Sequence, residues 1–129
     1  MLKDKVCIVT GAASGIGLAI AEMFVAEQAK VVMVDINEAQ LKAHCERLGS
    51  KYVVADLSKR EDCKNVVDVT ARLFEKVDIL VNVAGIQTVS PIEDFPEDKW
   101  DFMINLMLTA PFLLTRYSWP FMKANKWGR

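Results

Sequence analysis

The stretch Val6-Cys7-Ile8-Val9-Thr10-Gly11-Ala12-Ala13-Ser14-Gly15-Ile16-Gly17 decides how the chain is read. Its first half is an apolar run rich in β-branched residues that stops at Thr10-Gly11, as a buried strand does. Glycines follow at 11, 15 and 17, and an amphipathic segment begins at once with Ile16, Leu18-Ala19-Ile20 and Met23-Phe24. The pattern predicts a strand, a tight glycine turn and the N-terminus of a helix. The first turn of a helix has unsatisfied N–H groups and a partial positive charge, and glycines let an anion approach the backbone. A phosphate-containing ligand is expected there. The competing reading is a strand-to-helix turn that serves packing alone.

Downstream the same alternation recurs. The first helix is expected from Gly15 to about Gln28. Val31-Val32-Met33-Val34 then ends at Asp35, 24 positions beyond Gly11, near the roughly 20-residue offset at which an acidic residue meets an adenosine ribose. Asn37 is placed to cap a helix through Ala39, Leu41 and Leu48 that stops at Gly49. A third strand, Tyr52 to Ala55, precedes Ser58 and Glu61, which predict a capping box on a helix burying Cys63, Val66-Val67, Thr70 and Leu73-Phe74. The fourth strand is expected over Ile79–Val83, followed by a polar loop with Pro91 and Pro96. A long helix runs from Pro96 to about Lys123, apolar all round and kinked at Pro111. Apolar strands, each followed by a helix, predict an α/β fold with a doubly wound parallel sheet.

Composition narrows the function. The chain has 129 residues, enough for one domain, and a formal charge of −1 with both signs mixed. Neither nucleic acid nor a membrane surface is indicated as partner. No apolar run is long enough for a membrane span, and Met1–Lys5 leads into the first strand with no signal peptide. Cys7, Cys45 and Cys63 are irregularly spaced and offer neither a metal pattern nor a disulfide framework, so a reducing, cytoplasmic setting is expected. His44, the single histidine, is read as solvated on a helix surface. With glycine counted and tyrosine left out, apolar residues reach about 55%, above the ~45–50% usual in soluble domains, so apolar surface is expected to be covered by another molecule.

The turn Thr10-Gly11-x-x-x-Gly15-x-Gly17 differs from the G-x-G-x-x-G fingerprint. It resembles the Gly-rich turn of the short-chain dehydrogenase/reductase family. Asp35, Ala55-Asp56-Leu57, Asn82-Val83-Ala84-Gly85 and Asn105 resemble that family's landmarks, in its order, with Val83 where its Asn-Asn-Ala-Gly has a second Asn. The resemblance covers essentially the whole chain. It implies a Rossmann-like sheet of order 3-2-1-4, an incomplete domain over residues 1–129 that breaks off after the long helix, and a nicotinamide dinucleotide as cofactor.

Site residues follow from the resemblance. Gly11, Ser14, Gly15, Ile16 and Gly17 would serve the pyrophosphate, and Asp35 and Ile36 the adenosine ribose. Asp56 and Leu57 would border the adenine. Asn82 would hold the fourth strand in place, and Ala84 and Gly85 would leave room beside the ribose. Asn105 would be the tetrad asparagine that positions a water and a lysine. A lone amide in an apolar helix is costly to bury without partners, which also favours a hydrogen-bonding role for Asn105. No metal site is expected. Asp35 would repel a 2′-phosphate, and Ile36-Asn37 offers no cation to offset it, so NAD is favoured over NADP.

The family's acid/base serine and Tyr-x-x-x-Lys pair are not in these residues: Tyr52 is followed four positions on by Asp56, and Tyr117 by Phe121. Two readings stay open. One is part of an NAD-dependent oxidoreductase acting on a secondary alcohol or ketone; Gln87-Thr88-Val89 and Asp94–Trp100 most resemble members acting on small hydroxy acids such as 3-hydroxybutyrate. The other is an inactive NAD-binding or interaction module. Either way, Ile79–Val83 is expected to be an open sheet edge and the long helix to be partly uncovered, so a homo-oligomer is expected.

Overall fold

The computed structural model describes all 129 residues, Met1–Arg129. Four strands, β1 (Val6–Thr10), β2 (Lys30–Asp35), β3 (Lys51–Val54) and β4 (Ile79–Val81), alternate with α1 (Gly15–Ala26), α2 (Glu38–Leu48) and α3 (Arg60–Phe74). All pairings are parallel, and the order across the sheet is β3-β2-β1-β4. This is the expected doubly wound, Rossmann-like arrangement. β1 is central, with Val9 beside Met33 on one side and Val81 on the other.

Because successive strand side chains point to opposite faces, the sheet feeds two cores. Ile8, Val32, Val34 and Val53 pack with Val66 and Val67 of α3 and with Leu113 and Leu114. Cys7, Val9, Val31 and Met33 pack on the other face with Ala21 of α1 and Leu41 and Cys45 of α2. The apolar runs are continuous because both faces are covered. At the start of β4, the buried Asp78 carboxylate accepts the Val6 N–H at 2.8 Å and lies 3.0 Å from Lys76 Nζ.

Helix ends depart from expectation in places. α1 stops at Ala26, and Gln28 closes the turn in the left-handed region at φ 65°. Asn37 caps α2 as expected, accepting the Gln40 N–H at 3.1 Å, and Gly49 ends it at φ 68°. The capping box at Ser58 does not form: Lys59 is the capping residue of α3 and gives no side-chain hydrogen bond. The Ser58 hydroxyl instead donates to Asp56 Oδ1 at 2.6 Å, a charge-assisted bond that turns it toward the carboxylate. Asp62 rather than Glu61 reaches back, accepting the Asp56 N–H at 2.8 Å.

The expected long helix runs without a gap from Glu97 to Ala124, with one π-helical turn inside it. A short 3₁₀ turn, Ile92–Asp94, precedes α4 (Glu97–Ile104), a π-helical turn (Asn105–Thr109) and α5 (Ala110–Ala124). Pro111 explains the widened turn: it lacks an N–H, and in a regular α-helix its ring would meet the carbonyl four residues back. The wider turn before it, in which Ala110 N–H bonds Asn105 C=O, lets Pro111 sit in the first turn of α5. Burial on every side does not occur. Only Ala110, Leu113, Leu114 and Ser118 of α5 are buried and none of α4, whereas Leu108, Phe112 and Trp119 are more than half exposed. The outer edge of β4 is not wholly open. Arg129 N–H bonds Asp78 C=O at 3.1 Å and its C=O accepts the Leu80 N–H at 2.9 Å, a parallel-ladder contact.

Candidate nucleotide site

The site is built where β1 and β4 end. Thr10, the last residue of β1 and only 1% exposed, presents a hydroxyl that accepts the N–H groups of Val83 at 3.0 Å and Ala84 at 3.1 Å and lies 3.4 Å from Val81 O. That is why β4 leaves the ladder at Val81 rather than Val83: the next amides turn toward Thr10. The clamp brings Ala84 against the glycine turn. Gly11 has φ +64°, and a Cβ on it would lie 3.0 Å from Ala84 N and Cα. A Cβ on Gly17 would collide with the Gly11 carbonyl oxygen. Both glycines are therefore dictated by close approach of backbone to backbone.

Ser14 precedes α1 in an extended conformation, and the first bond of the helix runs from Leu18 N–H to Ser14 C=O at 3.2 Å. The N–H groups of Gly15, Ile16 and Gly17 thus have no acceptor within the helix. Ser14, Gly15 and Ile16 are exposed, and no acidic residue occupies the first turn. The helix end is open to an anion.

Asp35 closes over the turn from β2. Its Oδ2 accepts the Ala13 N–H at 3.1 Å, and Oδ1 accepts those of Ile36 at 2.7 Å and Asn37 at 3.1 Å. Asp35 takes part in no ion pair. Gly11, Asp35, Ile36, Asp56, Leu57, Ala84 and Gly85 line a single cleft of about 170 Å³, with no lysine or arginine in its walls. Asp56 Oδ1 is engaged by Ser58, leaving Oδ2 without a partner in the chain. Under the turn, burial first and then Asp78 push the Cys7 thiol up to about 12, so Cys7 stays a neutral packing residue. No group of His, Cys, Asp and Glu is arranged to hold a metal ion.

A free helix N-terminus, a glycine turn without Cβ atoms and a carboxylate at the next strand end fit a dinucleotide. The family model for short chain dehydrogenase matches residues 5–129. The chain belongs to the short chain dehydrogenase family. It is 38% identical over 137 residues to an uncharacterized oxidoreductase of Bacillus subtilis, an alignment covering 99% of this chain and 52% of that protein. It is 40% identical over 134 residues to D-beta-hydroxybutyrate dehydrogenase of Cupriavidus necator, covering 100% of this chain and 52% of the relative. A metagenomic short-chain oxidoreductase solved in complex with NADP superposes with a TM-score of 0.94 at 31% identity, over 98% of this chain and 60% of that one. The chain spans about half the length of the curated relatives it matches.

Of the residues the family pattern singles out, the cleft gathers seven, and the adjoining turn supplies Ser14, Gly15, Ile16 and Gly17. Asn82 and Asn105 fall outside the cleft. Asn82 is exposed and makes no side-chain hydrogen bond; holding the end of β4 falls to Thr10, because the Thr10 hydroxyl is the group aimed at the Val83 and Ala84 amides. Asn82 lines a separate groove of about 670 Å³ beside β4, with Leu80, Trp119 and Trp127, which contains none of the glycine turn. Asn105 is also exposed, on the π turn, so the cost of burying its amide does not arise; its carbonyl holds the Ala110 N–H instead.

Thr10, Ile86, Phe102 and Leu106 are site residues that the sequence did not mark. A hydroxyl ending an apolar strand just before the first glycine was a usable signal for Thr10. Phe102 and Leu106 had none, since their approach to the cleft depends on how α4 is placed. No helix is long and apolar enough to cross a membrane.

Proposed function

We propose that this chain is the nucleotide-binding part of an NAD-dependent short-chain dehydrogenase that interconverts a secondary alcohol and a ketone, a small hydroxy acid such as 3-hydroxybutyrate being the favoured substrate class. The observation that carries the reading is Asp35, held by three backbone N–H groups at the rim of a cleft without cations. A carboxylate there accepts hydrogen bonds from ribose hydroxyls and repels a 2′-phosphate. The NADP bound to the metagenomic relative belongs to that protein; the charge at Asp35 favours NAD here. The hydroxy-acid class rests on the kinship to the Cupriavidus necator enzyme.

The nicotinamide group, when bound, supplies hydride chemistry. The chain's own residues bind and orient. The N–H groups of Gly15, Ile16 and Gly17, with the Ser14 hydroxyl, face the pyrophosphate, and Gly11 admits it. Asp35 and Ile36 take the adenosine ribose, Asp56 and Leu57 the adenine edge and face. Ala84 and Gly85 border the second ribose, with Asn82 behind them. Asn105, on the π turn, positions the proton relay.

Neither Tyr52 nor Tyr117 has a lysine four residues on, which favours, for these 129 residues taken alone, binding without turnover. General acid–base catalysis is worth ~10²–10⁴-fold. Calorimetric titration tests both halves of the reading. NADH should bind more tightly than NADPH, Asp35→Ala should erase the difference, and NAD should not be reduced with 3-hydroxybutyrate. Equal affinity for the two cofactors in the wild-type chain would overturn the NAD assignment.

A further inference from the structure

We propose that Met107 is an oxidation site: a hydroperoxide converts its thioether to the sulfoxide, which takes away the support of the Ala84-Gly85 step and weakens dinucleotide binding. The inference rests on the dinucleotide reading above. Met107 lies in the π turn and is 48% exposed. Its side chain reaches the end of β4. A Cβ on Gly85 would meet Met107 Cε at 3.4 Å, Sδ at 3.7 Å and Cγ at 3.8 Å, ordinary packing distances, and these are the three atoms nearest that position. The thioether therefore lies over the face of Gly85 that a side chain would otherwise take. Ala84 and Gly85 are walls of the cleft, and so is Leu106, the neighbour of Met107. Thr10 fixes the Ala84 amide, and Met107 packs on the residue after it.

The other sulfur atoms are less suited to this role. Cys7, Cys45 and Cys63 are buried free thiols, and burial raises the pKa of each, so thiolate is scarce at neutral pH. Met33 is fully buried. Met1, at the N-terminus, and Met23, in the third turn of α1, are exposed but line no part of the cleft. A thioether needs no deprotonation to react. Its sulfur lone pair attacks one oxygen of the hydroperoxide and the O–O bond breaks. The sulfur is oxidised by two electrons to S=O, and the peroxide is reduced to water or an alcohol, which keeps the peroxide's hydrogen. The product is polar, and a polar group packed without a hydrogen-bond partner gives up hydration. The oxidised side chain turns out to solvent, and Gly85 loses its cover.

The wild-type chain, Met107→Leu and Met107→Gln are titrated with NADH before and after treatment with hydrogen peroxide. Oxidised residues are mapped by peptide mass spectrometry, and amide exchange is followed at residues 84–86. Peroxide should oxidise Met107 in the wild-type chain, weaken NADH binding about tenfold and speed exchange at 84–86. Methionine sulfoxide reductases for both epimers should reverse all three changes. Met107→Leu fills similar space without a sulfur, so its NADH affinity should not respond to peroxide although Met1 and Met23 are oxidised in it. Met107→Gln, with a fixed polar end, should bind NADH as weakly as the oxidised wild type. Met107 left unoxidised while Met23 reacts, NADH affinity unchanged once Met107 is oxidised, or Met107→Leu weakened by peroxide as much as wild type overturns the inference and leaves the cofactor reading intact. Failure of the untreated wild-type chain to bind NADH overturns both.

Discussion

Thr10→Val removes one hydroxyl at nearly constant shape and should be among the more damaging single changes in this chain. The Thr10 oxygen is the acceptor for two backbone amides, Val83 at 3.0 Å and Ala84 at 3.1 Å, and Thr10 is 1% exposed, so water has little access from its side. An unsatisfied buried donor costs ~1–3 kcal/mol. Val83 and Ala84 are half-buried, so each amide regains part of that from water. The expected loss is therefore about 2 kcal/mol rather than the ~4 of two fully buried donors, and the melting temperature should fall by about 8 °C. NADH affinity should fall with it, because the same two amides hold Ala84 against Gly11. Urea unfolding of wild type, Thr10→Val and Thr10→Ser measures the term, with Thr10→Ser keeping most of the stability because it keeps the hydroxyl. A Thr10→Val change below about 0.5 kcal/mol, or a Thr10→Ser protein as weak as Thr10→Val, would refute the clamp.

Two further expectations follow from burial. Desolvation raises the Cys7 thiol to about 12 and the Cys63 thiol to about 11; both are protonated in the fold at pH values where the unfolded chain ionises, so stability is full below about pH 8.5 and declines as pH rises through the folded values. Cys7→Val should flatten that decline in unfolding experiments between pH 8 and 11, and native-state labelling with a thiol reagent at pH 8 should be slow at both sites. Leu108, Phe112 and Trp119 are each more than half exposed, and such a surface favours self-association; sedimentation velocity at micromolar concentration should show a dimer or larger species, and Phe112→Asp with Trp119→Asp should return it to a 14.5 kDa monomer. A monomer in the wild-type chain would mean that this face stays solvated.

The parallel sheet and the glycine turn were legible in the sequence for a local reason, and the strand order through the resemblance to the family. A strand buried on both faces has to be apolar throughout, as Val31 to Val34 are, and the turn into α1 needs glycine at Gly15 for its positive φ and at Gly17 because a Cβ there would meet the Gly11 carbonyl. Asp35 belongs with these, since its place is set by the length of one strand–helix–strand unit. What only the tertiary structure decided lies where distant segments compete for the same groups. Ser58 looked like a cap and became a donor to Asp56, whose carboxylate two residues away accepts both its hydroxyl and its N–H. Val83 looked like strand and turned aside, because Thr10, far away in sequence, offered its amide and that of Ala84 an acceptor outside the ladder. The apolar helix after Pro96 looked buried, yet local pattern cannot say whether a neighbour exists to cover it. Pro111 put a π turn into it, Asn105 came out into solvent, and Phe102 arrived at a cleft that also takes residues from the ends of all four strands. Periodicity and turn chemistry act within a few residues and are written in the chain; hydrogen-bond competition and coverage act between segments and exist only once the sheet has brought them together.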